Sequence, residues 1–143
     1  MVKQKSPLTV GVIGTGAIAR DQHLPYWREL EEEGRVHIVG LCDIVKARRE
    51  EEAAKCRAAK TYSDMRKMLS ENRFDIIDVC TQNRFHSVAT IAGLQAGANV
   101  LVEKPMAMNV KECEAMIAAA KKARKKLMVA QHKIGRASCR ERV

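Results

Sequence analysis

Aromatic side chains are nearly missing from this chain: 3% of 143 residues, with one Trp, two Tyr and two Phe. A surface that stacks bases needs more of them, so the net charge of +9 is not read as a nucleic-acid footprint. Much of that charge sits in Lys121, Lys122, Arg124, Lys125 and Lys126, at the end of one predicted helix, where cations complement the helix dipole. Also lacking is any apolar run of about 18 residues, which excludes a membrane-spanning helix. The segment from Met1 to Pro7 has neither the apolar centre nor the cleavage site of a secretory signal, so the cytoplasm is the default expectation. No two of the five cysteines stand in C-x-x-C spacing, which removes the usual zinc and dithiol signals, and no metal site is expected. Cys42 and Cys80 fall in apolar strands and Cys56 and Cys113 on helical patterns, the places of ordinary core thiols. No internal repeat or low-complexity stretch is present.

What is present is ordinary for a globular domain: 46% apolar and 30% charged residues, in a chain long enough to bury one core. Leu8–Ile13 reads as a strand without clean alternation, as when both sheet faces are covered. Helix follows from about Ala17, restarts after Pro25 and ends near Gly34. Val36–Cys42 reads as a second strand, Val45–Cys56 as a charged helix and Ala59–Tyr62 as a brief third strand. Ser63 is placed to cap a helix over 64–69. Asp75–Cys80 reads as a fourth strand buried on both faces. A loop over 81–85 leads to a helix over 86–96 that presents Val88, Ile91, Ala92 and Gln95 on one side. Ala98–Val102 is a fifth strand. Asn109 caps a long helix with Val110, Cys113, Ile117 and Ala120 in register, and Leu127–Ala130 is a sixth strand. Strict alternation of strands and helices predicts an α/β fold with a doubly wound parallel sheet over residues 1–132.

The strongest motif lies where the first strand meets its helix. Gly14, Gly16 and Ala19 fit the G-x-G-x-x-G/A pattern at the junction where that pattern has meaning, with Thr15, Ala17 and Ile18 between them. Gly14 permits a tight turn, Gly16 lets backbone approach a diphosphate, and Ala19 lets helix lie close on strand. The helix start then offers free amides and a positive dipole end to the phosphates. The second strand ends in an acid, Asp43, 24 residues after Ala19, near the usual spacing of about 20 for the carboxylate that accepts from the adenosine ribose hydroxyls. A carboxylate there repels a ribose 2′-phosphate, so NAD is expected ahead of NADP. Lys46, Arg48 and Arg49 close behind are of the type that holds that phosphate, so NADP stays open.

Two further segments fall at the same edge: Thr81-Gln82-Asn83-Arg84-Phe85-His86 after the fourth strand and Glu103-Lys104-Pro105 after the fifth. Together with the glycine loop, they resemble the Gfo/Idh/MocA oxidoreductases over about residues 8–132. The stretch from Ala98 to Ala107, with its Glu-Lys-Pro, carries most of the likeness. The resemblance implies that Lys104 lies by the nicotinamide and holds the substrate hydroxyl, where a cation stabilises developing alkoxide charge. It implies that Glu103 touches or supports the cofactor and that Pro105 shapes the turn through a cis peptide. Thr81, Asn83 and His86 would line the nicotinamide-ribose side. His23 reads as structural, and His132 would stand beside the substrate pocket. Gln82 replaces the proline usual in that family.

Family members run to more than twice this length. The second half, which carries most of the substrate pocket, the homo-oligomer interface and the usual catalytic histidine, is not in this sequence. The tail over 133–143 leaves the family pattern and resembles a translated sequencing adapter. Its Lys133, Arg136, Arg140 and Arg142 against Glu141 supply +3 of the +9. The resemblance implies hydride transfer between NAD(P) and a sugar, cyclitol or related polyol in a full-length parent, and an inactive, weakly binding fragment here. Two other readings stay open at this stage: NAD-assisted glycoside cleavage, and a non-enzymatic dinucleotide sensor.

Overall fold

A computed structural model describes residues 6–131. Six strands, β1 Leu8–Ile13, β2 Val36–Cys42, β3 Lys60–Tyr62, β4 Ile76–Val79, β5 Asn99–Glu103 and β6 Leu127–Ala130, form one sheet in the order β3-β2-β1-β4-β5-β6. Every adjacent pair is parallel. The chain works outward from β1 to β3, then returns across β1 to β4. The crevice opposite the carboxyl ends of β1 and β4 is therefore the switch point where such sheets bind ligands.

Five helices cover the two faces: α1 Leu24–Glu32, α2 Lys46–Ala53, α3 Met65–Glu71, α4 His86–Gln95 and α5 Val110–Ala123. The first two close a core of Val10, Val12, Leu24, Ile38 and Leu41; the last three close another around Met68, Ile77, Leu94, Val102 and Met116. Both faces of β1 and β4 are thus buried, which is why their sequences run apolar instead of alternating. Where Asp78 interrupts that run in β4, it is fully buried.

Several local expectations are corrected. The helix after the glycine loop does not break at Pro25. It passes through a wider π turn, Ala19–His23, in which the Leu24 amide reaches back to the Ala19 carbonyl, and Pro25 falls in the first turn of α1. A proline has no amide to donate and crowds the carbonyl four residues back, and the wider turn absorbs both. Asp64, not Ser63, caps α3, its Oδ1 accepting from the Arg66 amide at 2.8 Å. In α4 Val88 and Gln95 face out, Ile91 packs partly against the core, and Ala89, Thr90, Gly93 and Leu94 face the sheet. At Gly93 a Cβ would stand 3.1 Å from Val100 and 3.3 Å from Ile77, so the helix approaches the sheet closely at this small residue, beside fully buried Leu94. In α5, Met116 joins Ala120 in the core, while Val110 and Ile117 are exposed. The Asn109 cap is as expected: Oδ1 accepts from the Glu112 amide at 2.9 Å, and Glu112 Oε2 accepts in return from the Met108 amide at 3.2 Å.

Candidate functional site

The carboxyl ends of β1, β2, β4 and β5 bring the sequence motifs to one edge. Gly14 follows β1 with φ +94°, and a Cβ on it would meet the Cys80 carbonyl oxygen at 2.6 Å and the Thr81 nitrogen at 2.8 Å. The turn therefore needs glycine twice over, for its backbone angle and for the approach of the neighbouring loop. Its amide donates to the Cys42 carbonyl at 2.7 Å, which ties the loop to β2. At Gly16 a Cβ would meet nothing within 4 Å, so the loop is open on its outer side. Gly16, Ala17 and Ile18 begin the helix, where no preceding turn supplies carbonyls for their amides. Buried Ala19 sits in the core beneath. A bare loop, first-turn amides and open space above Gly16 fit a diphosphate.

Asp43 stands just past β2. Its Oδ2 accepts from the Thr15 amide at 2.8 Å and the Thr15 hydroxyl at 3.2 Å, and its Oδ1 accepts from the Val45 amide at 2.8 Å. The carboxylate thus holds the glycine loop in place and keeps free lone pairs for hydroxyl donors. Arg49 donates to the Asp43 carbonyl at 3.0 Å. Beside the loop is a cleft of about 150 Å³ lined by Thr15, Gly16, Ala17, Arg20, Arg48, Glu51 and Glu52. Two guanidinium groups and two carboxylates thus meet where the adenosine end of a dinucleotide would reach.

On the other side of the crevice, Asn83 and Lys104 are exposed and Thr81 is half-buried. His86 is not open to a ligand through its nitrogens. It is 1% exposed, with Nδ1 2.8 Å from the Pro105 carbonyl oxygen and Nε2 3.0 Å from the Thr81 carbonyl oxygen. It pins the two loops to each other. The Lys104–Pro105 peptide is cis.

A cluster that the sequence reading missed lies between these halves. His23, at the end of the π turn, has Nδ1 2.8 Å from Asp78 Oδ2 and Nε2 3.0 Å from Glu103 Oε1. Trp27 Nε1 donates to the same Asp78 oxygen at 2.6 Å, and the Cys80 thiol to the other at 3.5 Å. Glu103 Oε2 accepts from the Lys104 amide at 2.9 Å. Neutral imidazole has one donor nitrogen, so two carboxylates against both nitrogens call for the imidazolium. The hydrogen bond to Asp78 is the main cause that raises the His23 pKa to about 9; burial opposes it, and the Asp78 charge and Glu103 reinforce it. Burial also pushes the Cys80 thiol far up, so it stays protonated. Ligand atoms of His23, Asp78 and Cys80 lie within 4.8 Å of one another. A metal there would need a deprotonated His23 nitrogen and a thiolate, and the site favours neither. The only sequence signal was an acid inside an apolar strand, since His23 is 55 positions from Asp78 and 80 from Glu103.

Fold and site define a dinucleotide-binding domain of the doubly wound type. Residues 8–131 match the model of the Gfo/Idh/MocA family, described as an oxidoreductase family with an NAD-binding Rossmann fold, and the chain belongs to that family. It is 33% identical over 117 residues to D-glucoside 3-dehydrogenase of Escherichia coli, covering 82% of this chain and 32% of that protein. It is 40% identical over 110 residues to the scyllo-inositol 2-dehydrogenase (NADP(+)) of Bacillus subtilis, covering 77% and 32%. The WlbA dehydrogenase of Chromobacterium violaceum, solved with NADH and UDP-GlcNAcA, superposes with a TM-score of 0.80 at 28% identity, covering 89% of this chain and 36% of that one. The chain spans about a third of the length of these relatives. Among the described residues, no helix is long and apolar enough to cross a membrane. His132 and the tail over 133–143 lie outside the described residues.

Proposed function

We propose that this chain is the cofactor-binding part of an NAD(P)-dependent dehydrogenase that oxidises a secondary hydroxyl of a sugar, cyclitol or related polyol. The observation that carries the reading is the meeting of the open Gly14–Ala19 loop, Asp43 and Lys104 along one sheet edge. Gly14 to Ala19 hold the diphosphate and Asp43 the adenosine ribose, while Thr81, Asn83 and Glu103 border the nicotinamide end. The dinucleotide, when bound, supplies the redox chemistry. Lys104 hydrogen-bonds the reacting hydroxyl and stabilises the negative charge that develops on its oxygen. His86 acts through backbone, fixing the loop after β4 against the Lys104–Pro105 turn.

Among the described residues no histidine is free to take the hydroxyl proton. His23 lies between two carboxylates, His86 between two carbonyls, and His37 lies near the start of β2, away from the carboxyl-end crevice. This supports placing the base, as the family resemblance implies, in the remainder of a full-length parent, which would also supply the rest of the substrate pocket and the homo-oligomer contacts. Sugar and inositol names among the relatives support the substrate class.

Fluorescence titration with NADH and NADPH tests the cofactor step. The chain is expected to bind both weakly, NADH more tightly, and Asp43→Ser to lose roughly tenfold in NADH affinity, the worth of one charged hydrogen bond. Tighter binding of NADPH by the unaltered chain, or no binding of either, would overturn the assignment of Asp43. Incubation with myo-inositol or a glucoside and NAD is expected to yield no NADH. Turnover would place the base within this chain.

A further inference from the structure

We propose that His23 is a positioning residue for Lys104: wedged as a cation between Asp78 and Glu103, it locks the end of β5 to the helix that opens the dinucleotide site. The proposal rests on the reading of Lys104 given above.

Lys104 is exposed, and its place over the crevice is set by its backbone. His86 holds that backbone from the Pro105 side, and one carboxylate holds it at the Lys104 amide. Glu103 Oε2 takes the Lys104 amide at 2.9 Å while Oε1 faces His23 Nε2 at 3.0 Å. The orientation of Glu103 thus helps to set where Lys104 begins, and His23 is the side chain that orients Glu103. On its other side His23 is referenced to Asp78, which is itself fixed by Trp27 of α1 at 2.6 Å. The path Trp27–Asp78–His23–Glu103–Lys104 crosses α1, β4, the π turn and β5 without a gap longer than a hydrogen bond.

Two buried carboxylates around a partly buried imidazolium are a poor way to stabilise a core, since apolar residues of the same volume do as well or better. What they add is direction. An imidazolium flanked by two acceptors has one favourable ring orientation, and each carboxylate is turned by the donor it faces. The position also suits the task, because the π turn begins at Ala19, the last residue of the glycine motif. One residue on that turn therefore connects the phosphate loop with the turn that carries Lys104. The titratable groups facing His23 are Asp78 and, through Asp78, Cys80 from β4, and Glu103 from β5; Tyr26 of α1 shares its groove.

Nitrogen-15 NMR on the labelled 143-residue chain, with and without NADH, tests this. Both His23 ring nitrogens should be protonated at neutral pH and lose one proton near pH 9, and the Lys104 amide should shift with the same midpoint. NADH affinity should fall roughly tenfold across that midpoint. Asp78→Asn should lower the His23 and Lys104 midpoints together, a response that mere packing would not give. If that variant fails to fold, Glu103→Gln and the unaltered chain's own titration decide. A Lys104 amide that stays still while His23 titrates would overturn the proposal, as would midpoints that separate in the variant. Coupled midpoints without any NADH binding would leave the positioning role standing and defeat the proposed function. NADH binding with uncoupled midpoints would do the reverse.

Discussion

Gly14→Ala is expected to abolish NADH binding and to cost the fold about 3 kcal/mol or more. Two penalties add at this position. The backbone sits at φ +94°, where an L-residue with a Cβ is strained. The new carbon would also stand 2.6 Å from the Cys80 carbonyl oxygen and 2.8 Å from the Thr81 nitrogen. Both neighbours are backbone, so relief requires the loop after β4 to move away from the loop after β1. That movement widens the crevice at the switch point, and the Gly14 amide would leave the Cys42 carbonyl it now meets at 2.7 Å. Urea unfolding and NADH titration measure the two effects. Gly16→Ala is the control, because its Cβ would meet nothing within 4 Å of protein. It should fold normally and lose only binding. A Gly14→Ala chain within 1 kcal/mol of the unaltered one would refute this account of the turn.

His23→Leu is expected to destabilise the chain by about 3–5 kcal/mol at pH 7, the range seen when one member of a buried ionic group is removed. Asp78 is 0% exposed and Glu103 4%, so neither carboxylate can recover its hydration without local opening. The pH dependence distinguishes this from simple loss of packing. The folded-state pKa of His23 is raised from 6.5 to about 9. Its contribution is therefore fully present below about pH 6.5 and is lost as pH rises through 9. The gap in stability between the two chains should shrink over that window. Replacing Asp78 by Leu in the same chain should recover part of the loss, since one of the unpaired charges is then gone. A gap that is constant from pH 6 to 10 would show that His23 contributes volume alone.

Which parts of this were legible beforehand follows from the range of each interaction. The glycine loop is local: Gly14, Gly16 and Ala19 carry their requirements in their own lack of side-chain atoms, and Asp43 follows at a spacing set by one helix and one strand. The doubly wound parallel class follows nearly as directly, because right-handed crossovers and short links leave few topologies for this alternation. Helix faces were less legible. In α4 the bulky Val88 lies outside and close seating on the sheet selects Ala89 and Gly93; in α5 the expected Ala120 is buried beside Met116, while Val110 and Ile117 are exposed. Helix-to-sheet distance, which periodicity does not encode, decided the matter.

The amino-acid sequence alone determined the class of fold, the open glycine loop proposed to meet a diphosphate and the family, because each depends on short-range geometry or on residues in fixed register. Only the tertiary structure decided what the ionisable groups do. His23, Asp78 and Glu103 are far apart in the chain and individually unremarkable, and His86 read as a ligand contact until both its nitrogens were found on backbone carbonyls. Charge and hydrogen bonding act through space at about 3 Å, and that distance is set only once the strands are in order.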